Sequence, residues 1–266
     1  MGWSRRRRAA RPRLLTAGFS YLQNGDAGGG AQSNSGGAAA SNGGTTSTSG
    51  AAAVEADPER PVLNCGGEAC ADGAMIIDME SNDGLVCASD GRSGSVSYFG
   101  DGTGSAWPPA GAATKFSPLD ACRGSSAVAL HTKGANFKSW GAGISVLFSS
   151  TGFDASLFSG IVFWAKSSTS TQISIGVATP ATQDVAYGGD CKPSSGKQCN
   201  DHFATKRTLS PGWMAYPISF AELSQVGWGV AAPTLNIDRT ALLELNIVAP
   251  AGQPFDYWLD DITFTP

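Results

Sequence analysis

The stretch TQISIGVA, residues 171–178, alternates apolar side chains with small or polar ones. Ile173, Ile175 and Val177 fall on one side, and a glutamine, a serine and a glycine fall on the other. Successive side chains of a strand point to opposite faces, so this period of two predicts a strand with one face in a core. The stretch LLELNIV, residues 242–248, repeats the alternation.

Short apolar runs of this kind recur along the chain between clusters of Gly, Pro, Asn, Asp and Ser. They cover residues 74–80, 95–99, 127–132, 143–149, 160–166, 213–219 and 255–264. Residues 220–226 indicate a helical turn. About nine or ten strands without a long helix predict an all-β fold, a β-sandwich of two sheets such as a jelly roll.

Composition divides the chain into three parts. Residues 1–25 carry six Arg and a weak apolar run, which indicates a basic leader or a start that does not mark the true N-terminus. Residues 26–60 form a Gly/Ser/Ala-rich stretch that lacks the apolar surface for a core, so we expect a disordered tether. Residues 61–266 contain the strand pattern and predict one domain.

The predicted domain is acidic. From Pro61 onward, 11 Lys and Arg stand against 18 Asp and Glu, a net charge of −7. Phosphate backbones are bound by clustered positive charge, so we exclude nucleic acid as a partner. No apolar stretch reaches the roughly 18 residues that a membrane-spanning helix needs, and we expect a monomer without a membrane span.

Six cysteines fall within the predicted domain, and we expect them to form disulfides. The predicted pairs are Cys191–Cys199, Cys65–Cys70 and Cys87–Cys122. The first pair flanks a short loop, whereas the other two are choices among the 15 pairings that six cysteines allow. Only two His and no CxxC motif argue against zinc. Disulfides indicate a secreted or cell-surface protein from an oxidising compartment; six reduced, buried cysteines in a cytosolic protein are the alternative.

Three segments of the domain resemble a known family when taken together. They are IDME at residues 77–80, FDASLFSGIVFWAK at residues 153–166 and WLDDITF at residues 258–264. The set resembles galactose-binding-like jelly rolls, and most of all carbohydrate-binding modules related to family 11, as found in secreted bacterial proteins. The resemblance implies a jelly roll, a structural calcium ion and glycan binding. The chain departs from the family pattern in its extra cysteines and in Met79, where the family usually has Phe.

The implied calcium ion would be held by Glu80 and Asp260 on the predicted first and last strands. Calcium takes about six to eight oxygen ligands, which carboxylates and backbone carbonyls can supply. Strand alternation predicts that Asp260 points to the core side with Phe264, where a carboxylate needs a positive partner, and that Asp261 points to the opposite side. The alternative is that both predicted ligands are surface carboxylates close to a Lys or Arg.

Glycan binding would combine aromatic rings with polar side chains. Sugar rings stack on Trp or Tyr, and their hydroxyls bond with Asp, Asn, Glu or His. The predicted ligand residues are Trp140, Tyr187, Asp201, His202, Trp213, Tyr216, Glu244 and Asn246. A single aromatic residue is more often part of a core, so a cleft requires that these residues share one face.

The sequence therefore predicts a non-catalytic polysaccharide-binding module, with a concave sheet face, in an exported or surface-tethered protein. The alternatives are a structural or interaction jelly-roll domain without a glycan ligand, and a glycan-active hydrolase. A Cys/His nucleophile at Cys199 and His202 would need a free thiolate, which a disulfide removes. The chain contains none of the common hydrolase, zinc-protease or nucleotide-binding motifs, which favours binding over catalysis.

Overall fold

The computed structural model describes residues 54–57, 59–67, 69–70 and 72–266, and it shows an all-β sandwich of two antiparallel sheets, as predicted. The predicted leader, residues 1–25, and residues 26–53 of the predicted tether lie outside the described residues. The strands in chain order are β1 Met75–Ile77, β2 Val96–Gly100, β3 Ser105–Trp107, β4 Ser117–Arg123, β5 Ser126–Ala135, β6 Ala142–Leu147, β7 Gly160–Ser167, β8 Gln172–Ala178, β9 Phe203–Thr208, β10 Met214–Ser219, β11 Glu244–Ala249 and β12 Phe255–Thr265.

One layer is a seven-stranded sheet in the order β10-β7-β12-β5-β3, with β1 against β12 and β4 against β5. The other layer is a five-stranded sheet in the order β2-β6-β11-β8-β9. Short 3-10 helices cover Val185–Tyr187, Phe220–Glu222 and Arg239–Ala241, and the second lies within the predicted helical turn. In the described part of the chain, no helix has the length and apolar character needed to cross a membrane.

The core lies between the two sheets and is lined by alternate residues of each strand. Ile173 and Ile175 of β8 and Leu245 and Ile247 of β11 are all 0% exposed. Full burial of such a side chain contributes about 1.5–3 kcal/mol. The alternation that predicted these inner faces is confirmed, and it also determines which side chains of the five-stranded sheet face outward.

The closing strand β12 contains a bulge. Its register against β7 shifts between Asp260 and Thr263, and Asp261 has a φ of 42°. A bulge adds one residue and reverses the alternation of side chains. Asp260 therefore lies opposite Trp164 on the outer face, and the prediction that it points to the core side with Phe264 is wrong.

Three disulfides join the six cysteines. They are Cys65–Cys122, Cys70–Cys87 and Cys191–Cys199. The predicted pair around the short loop is confirmed, and the other two predicted pairings are wrong. Cys87 lies beside β1, because its N–H donates to a carbonyl of that strand at 2.8 Å, and Cys70 precedes the same strand. Cys122 lies on β4, which the N-terminal part of the chain reaches through the Arg60–Asp120 ion pair.

Candidate functional site

The outer face of the five-stranded sheet carries a row of small side chains, one from each strand. We call it the small-residue row, and its members are Ser97, Ser145, Asn246, Gly176 and Ala204. Neighbouring strands lie about 4.8 Å apart, so the row spans about 19 Å. None of its side chains is larger than asparagine, and Ser145 and Asn246 are buried, at 4% and 8% exposure.

A buried carboxylate adjoins this row. Glu244 lies two residues before Asn246 on the same face and is 5% exposed. It accepts hydrogen bonds from Ser145 Oγ at 2.5 Å, Asn246 Nδ2 at 3.0 Å and Gln183 Nε2 at 3.3 Å. No Lys, Arg or His of the described ranges forms an ion pair with it. Three neutral donors therefore hold the carboxylate in place of a cation.

Glu244 determines how two neighbouring amides are turned. A carboxylate only accepts hydrogen bonds, so Gln183 and Asn246 must each direct their NH₂ group toward it. Their carbonyl oxygens consequently point away, and Gln183 Oε1 is buried without a hydrogen-bond partner. Leaving such an acceptor unpaired costs about 1–3 kcal/mol. Glu244 thus fixes the orientation of both amides next to the row.

His202 lies on the same outer face, next to β9. A Cβ atom at Gly176 would lie 3.6 Å from the His202 Cβ, and the ring Nδ1 lies 2.9 Å from Thr182 Oγ1. Burial lowers the pKa of His202 to about 4, although the charge of Asp201 acts in the opposite direction. The imidazole is therefore neutral at pH 7 and offers one donor and one acceptor.

Asp201 binds a loop rather than the small-residue row. Its buried carboxylate accepts the N–H groups of Val226 at 3.1 Å, Gly227 at 2.7 Å and Gly229 at 3.0 Å. These bonds fix the loop that carries Trp228, which is 53% exposed. Sequence reasoning missed Trp228, although a tryptophan between two glycines and outside any apolar run is a signal of a loop-borne aromatic residue.

Trp140 lies at another border of this face. Its ring centroid is 5.8 Å from that of Phe99, an outward-facing residue of β2 that sequence reasoning also missed. A Cβ atom at Gly143 would lie 3.0 Å from the Phe99 ring, so the phenyl group covers that glycine. Tyr187 ends a 3-10 helix in the connection between β8 and β9, the connection that also carries Gln183.

The structure does not bring Trp213 and Tyr216 to this face. Tyr216 is 8% exposed and its ring stacks on Phe163 at 5.7 Å, inside the core. Trp213 precedes β10 of the seven-stranded sheet, where Arg123 and Lys166 lie 5.5 and 5.1 Å from its ring centroid. Sheet membership depends on tertiary topology, which the sequence pattern of an isolated strand does not contain.

The two residues predicted to bind calcium have other partners. Arg123 Nε donates to Asp260 Oδ2 at 2.9 Å, and the same guanidinium group pairs with Asp261. Glu80 Oε1 accepts two backbone N–H groups of β5, at 2.9 and 3.2 Å. A guanidinium group and a calcium ion at one carboxylate repel each other. Glu80 and Asp260 therefore do not fit the ion.

One possible metal-binding group of three residues lies together in the described part of the chain. Ligand atoms of Cys70, Asp78 and Cys87 lie within 4.8 Å of one another. The two sulfurs form a disulfide, however, and a metal ion needs a thiolate. Asp78 also accepts the backbone N–H of Glu80 at 3.1 Å, which ties its carboxylate to the turn after β1.

Comparison with solved structures finds carbohydrate-binding modules of similar fold. A family 11 carbohydrate-binding module from Clostridium thermocellum, in complex with a β-1,3-1,4-mixed-linked tetrasaccharide, is 13% identical, with a TM-score of 0.49 over 72% of this chain and 94% of that one. A family 30 carbohydrate-binding module is 15% identical, with a TM-score of 0.40 over 57% and 73%. An exo-β-agarase is 13% identical, with a TM-score of 0.43 over 73% of this chain and 25% of its own. No protein-family model and no curated protein matches the sequence.

Proposed function

We propose that this chain is a polysaccharide-binding module whose ligand lies along the small-residue row. The observation that carries the proposal is the row of small side chains across the outer face, beside which the Glu244 carboxylate fixes the orientation of the Gln183 and Asn246 amides. Sugar hydroxyls donate and accept hydrogen bonds, so they match this set of groups.

Aromatic residues at the borders of the face complement the polar floor. Phe99 and Trp140 adjoin one end of it, and Trp228 is presented by the loop that Asp201 fixes next to His202. Aromatic rings stack on the apolar face of a sugar. A ligand in a shallow site remains largely hydrated, so we expect dissociation constants of roughly tens of micromolar to millimolar.

The geometry favours binding without catalysis. Glycosidases generally use two carboxyl groups about 5–9.5 Å apart, one to donate a proton and one to attack or to activate water. Glu244 is bound by three neutral donors, and Asp201 by three backbone N–H groups. Neither carboxylate is arranged to exchange a proton with a ligand.

The setting that we propose for the module is an exported or surface-tethered protein, in which it acts as a monomer. Three disulfides are typical of proteins that fold in an oxidising compartment. A structural calcium ion at Glu80 and Asp260 does not enter the proposal, since Arg123 supplies the positive charge at Asp260.

Affinity gel electrophoresis against β-glucans, xylan and galactans tests the proposal. We expect retardation by at least one neutral polysaccharide, reduced about tenfold or more in Asn246→Ala, because an interaction of 1.4 kcal/mol is a factor of ten in affinity. Met214→Ala is the control, as Met214 is 49% exposed on the other sheet. An absence of retardation on every polysaccharide would contradict the proposal and favour a structural domain.

A further inference from the structure

His131 of β5 lies between two carboxylates on the outer face of the seven-stranded sheet. Its Nδ1 is 2.5 Å from Asp57 Oδ2, and its Nε2 is 2.7 Å from Asp256 Oδ1. The ring stacks on Trp258 with a centroid distance of 4.0 Å and an interplanar angle of 7°. His131 is 5% exposed, so water contributes little to solvating the imidazole.

The hydrogen bonds of His131 require two protons on the ring. A neutral imidazole has one N–H group and one lone pair, and that lone pair would face an anionic oxygen in this arrangement. The imidazolium ion, with an N–H on each nitrogen, satisfies both carboxylates and also gains from stacking on an indole face.

Asp57 belongs to the N-terminal segment, which we define as residues 54–57. Besides His131, the Asp57 carboxylate accepts hydrogen bonds from Ser117 Oγ at 2.7 Å and Lys133 Nζ at 3.0 Å. We infer that doubly protonated His131 clamps the N-terminal segment to the seven-stranded sheet and releases it when the ring loses a proton. The clamp joins an otherwise peripheral segment to β4 and β5.

The clamp and the proposed ligand face lie on opposite sides of the domain. The N-terminal segment is fastened on the outer face of the seven-stranded sheet, whereas the small-residue row is on the outer face of the five-stranded sheet. The outer faces of a sandwich point in opposite directions. Residues 54–57 therefore lie on the side of the domain away from the proposed ligand face. This orientation rests on the proposed function, but the clamp itself does not.

Several charged groups lie around His131 and affect the strength of the clamp. Asp57 and Asp256 bind its two ring nitrogens, and Lys133 pairs with Asp57 at 3.0 Å. Lys166 Nζ lies 5.1 Å from the centroid of the Trp258 ring, on which His131 stacks. Burial raises the pKa of Asp57, but hydrogen bonds from His131, Ser117 and Lys133 outweigh burial and bring it below the usual range. The hydrogen bond from His131 likewise lowers the pKa of Asp256.

The sign of the pH dependence follows from these partners. Below the lowered pKa values of Asp57 and Asp256 the carboxylates take up protons, and the attraction to the imidazolium ion is lost. At high pH the ring loses one N–H and meets a carboxylate with a lone pair. The clamp is therefore closed only while both carboxylates are ionised and both ring nitrogens carry protons.

NMR on the full chain tests the clamp directly. The ¹⁵N signals of the two side-chain nitrogens of His131 show whether both carry protons, and the chain has only two His, so His202→Gln assigns the signals. Backbone order parameters of residues 54–57 should be near 0.85 in the closed state and fall below about 0.6 when it opens. The fall should accompany the loss of one of the two ring protons of His131.

Two variants separate the clamp from a general loss of structure. Asp57→Asn should release the N-terminal segment at pH 7 while near-UV circular dichroism and the core signals stay unchanged. The matched control is Glu55→Gln, the same chemical change at an exposed position of the same segment. The inference is overturned by a segment that stays ordered while His131 carries a single ring proton, or by a segment that stays ordered in Asp57→Asn. Failure of polysaccharide binding alone would leave the clamp standing.

Discussion

Asn246 Nδ2 donates to Glu244 Oε1 at 3.0 Å, and the two side chains project two residues apart from the outer side of one strand. Strand alternation brings them together, and Gln183 reaches the same carboxylate from the connection between β8 and β9. The hydrogen-bonding character of the face therefore depends on one charge, because Glu244 fixes the orientation of both amides.

Replacement of that charge tests this dependence. In Glu244→Gln, the new side-chain amide has one acceptor and one donor group, and it faces the NH₂ groups of Gln183 and Asn246. The hydrogen bonds therefore rearrange, and the Gln183 and Asn246 amides are no longer held in one orientation. We expect polysaccharide affinity to fall about tenfold or more and stability to fall by about 1–3 kcal/mol. Affinity gels and urea unfolding measure the two effects. Unchanged affinity in Glu244→Gln, with the exposed Glu59→Gln as control, would count against this role.

Trp228 should contribute to affinity and not to stability. Its side chain is largely exposed, so Trp228→Ala removes little buried area and should leave the melting temperature within about 2 °C, whereas loss of one stacking contact should weaken binding by about 0.5–1.5 kcal/mol. Isothermal titration calorimetry and thermal unfolding check both values. Leu235→Ala, at a position that is 95% exposed, is the control, and equal affinity of the two variants would exclude Trp228 from the ligand face.

Removal of divalent cations should leave the domain unchanged. Arg123 already pairs with Asp260 and Asp261, so we expect EDTA to leave the melting temperature unaltered. Arg123→Met should cost about 3–5 kcal/mol, since it leaves the buried Asp260 carboxylate with the backbone N–H of Asp261 but no positive charge. Thermal unfolding with and without EDTA is the measurement. If EDTA lowers the melting temperature and calcium restores it, the domain binds a stabilising calcium ion in spite of the Arg123 ion pairs.

Stability should decrease as the pH falls from about 6.5 toward 4. The pKa of His202 is lowered by burial to about 4, so the unfolded chain binds a proton in this range before the folded chain does. The contribution of this one residue is at most about 3 kcal/mol. Urea unfolding across this range measures the slope, which His202→Gln should reduce. An equal slope in the variant would indicate that other groups cause it.

The disulfides should differ in their effect. Cys65–Cys122 joins residues 57 apart in sequence, and Cys191–Cys199 joins residues 8 apart. In the loop-entropy model, removing the first by paired Ser substitutions costs about 4 kcal/mol and removing the second about 2–3 kcal/mol. Guanidinium unfolding of the two double variants provides the comparison. A larger loss from the short loop would mean that its disulfide contributes through native contacts.

The sequence predicted the strands that bury one clean face, such as β8 and β11, because apolar residues repeat there with a period of two. It missed β3, β4 and β9. Strand β9, FATKRT, buries Phe203 alone, and β4 begins Ser117-Pro118 and pairs with β5 at few positions. Edge and irregular strands bury too few side chains to produce a periodic signal.

The candidate site was partly predictable for the same physical reason. Glu244 and Asn246 were expected on one outer face from the alternation of β11, and the structure places them there. Gln183 was not identified, because it comes from a loop and its place beside Glu244 depends on the fold of the whole connection. The bulge at Asp261 could not be predicted either, because it is a shift in the pairing of β12 with β7 and the amino-acid pattern of β12 does not mark it.

The most direct test of the proposed ligand face is a titration of the ¹⁵N-labelled protein with soluble oligosaccharides from the polysaccharide that retards it in gels. Backbone amide shifts should concentrate on Ser145, Gly176, Asn246 and Ala204 of the small-residue row, and leave the amides of Trp164 and Trp258 on the opposite sheet unmoved. Shifts confined to the seven-stranded sheet would contradict the account.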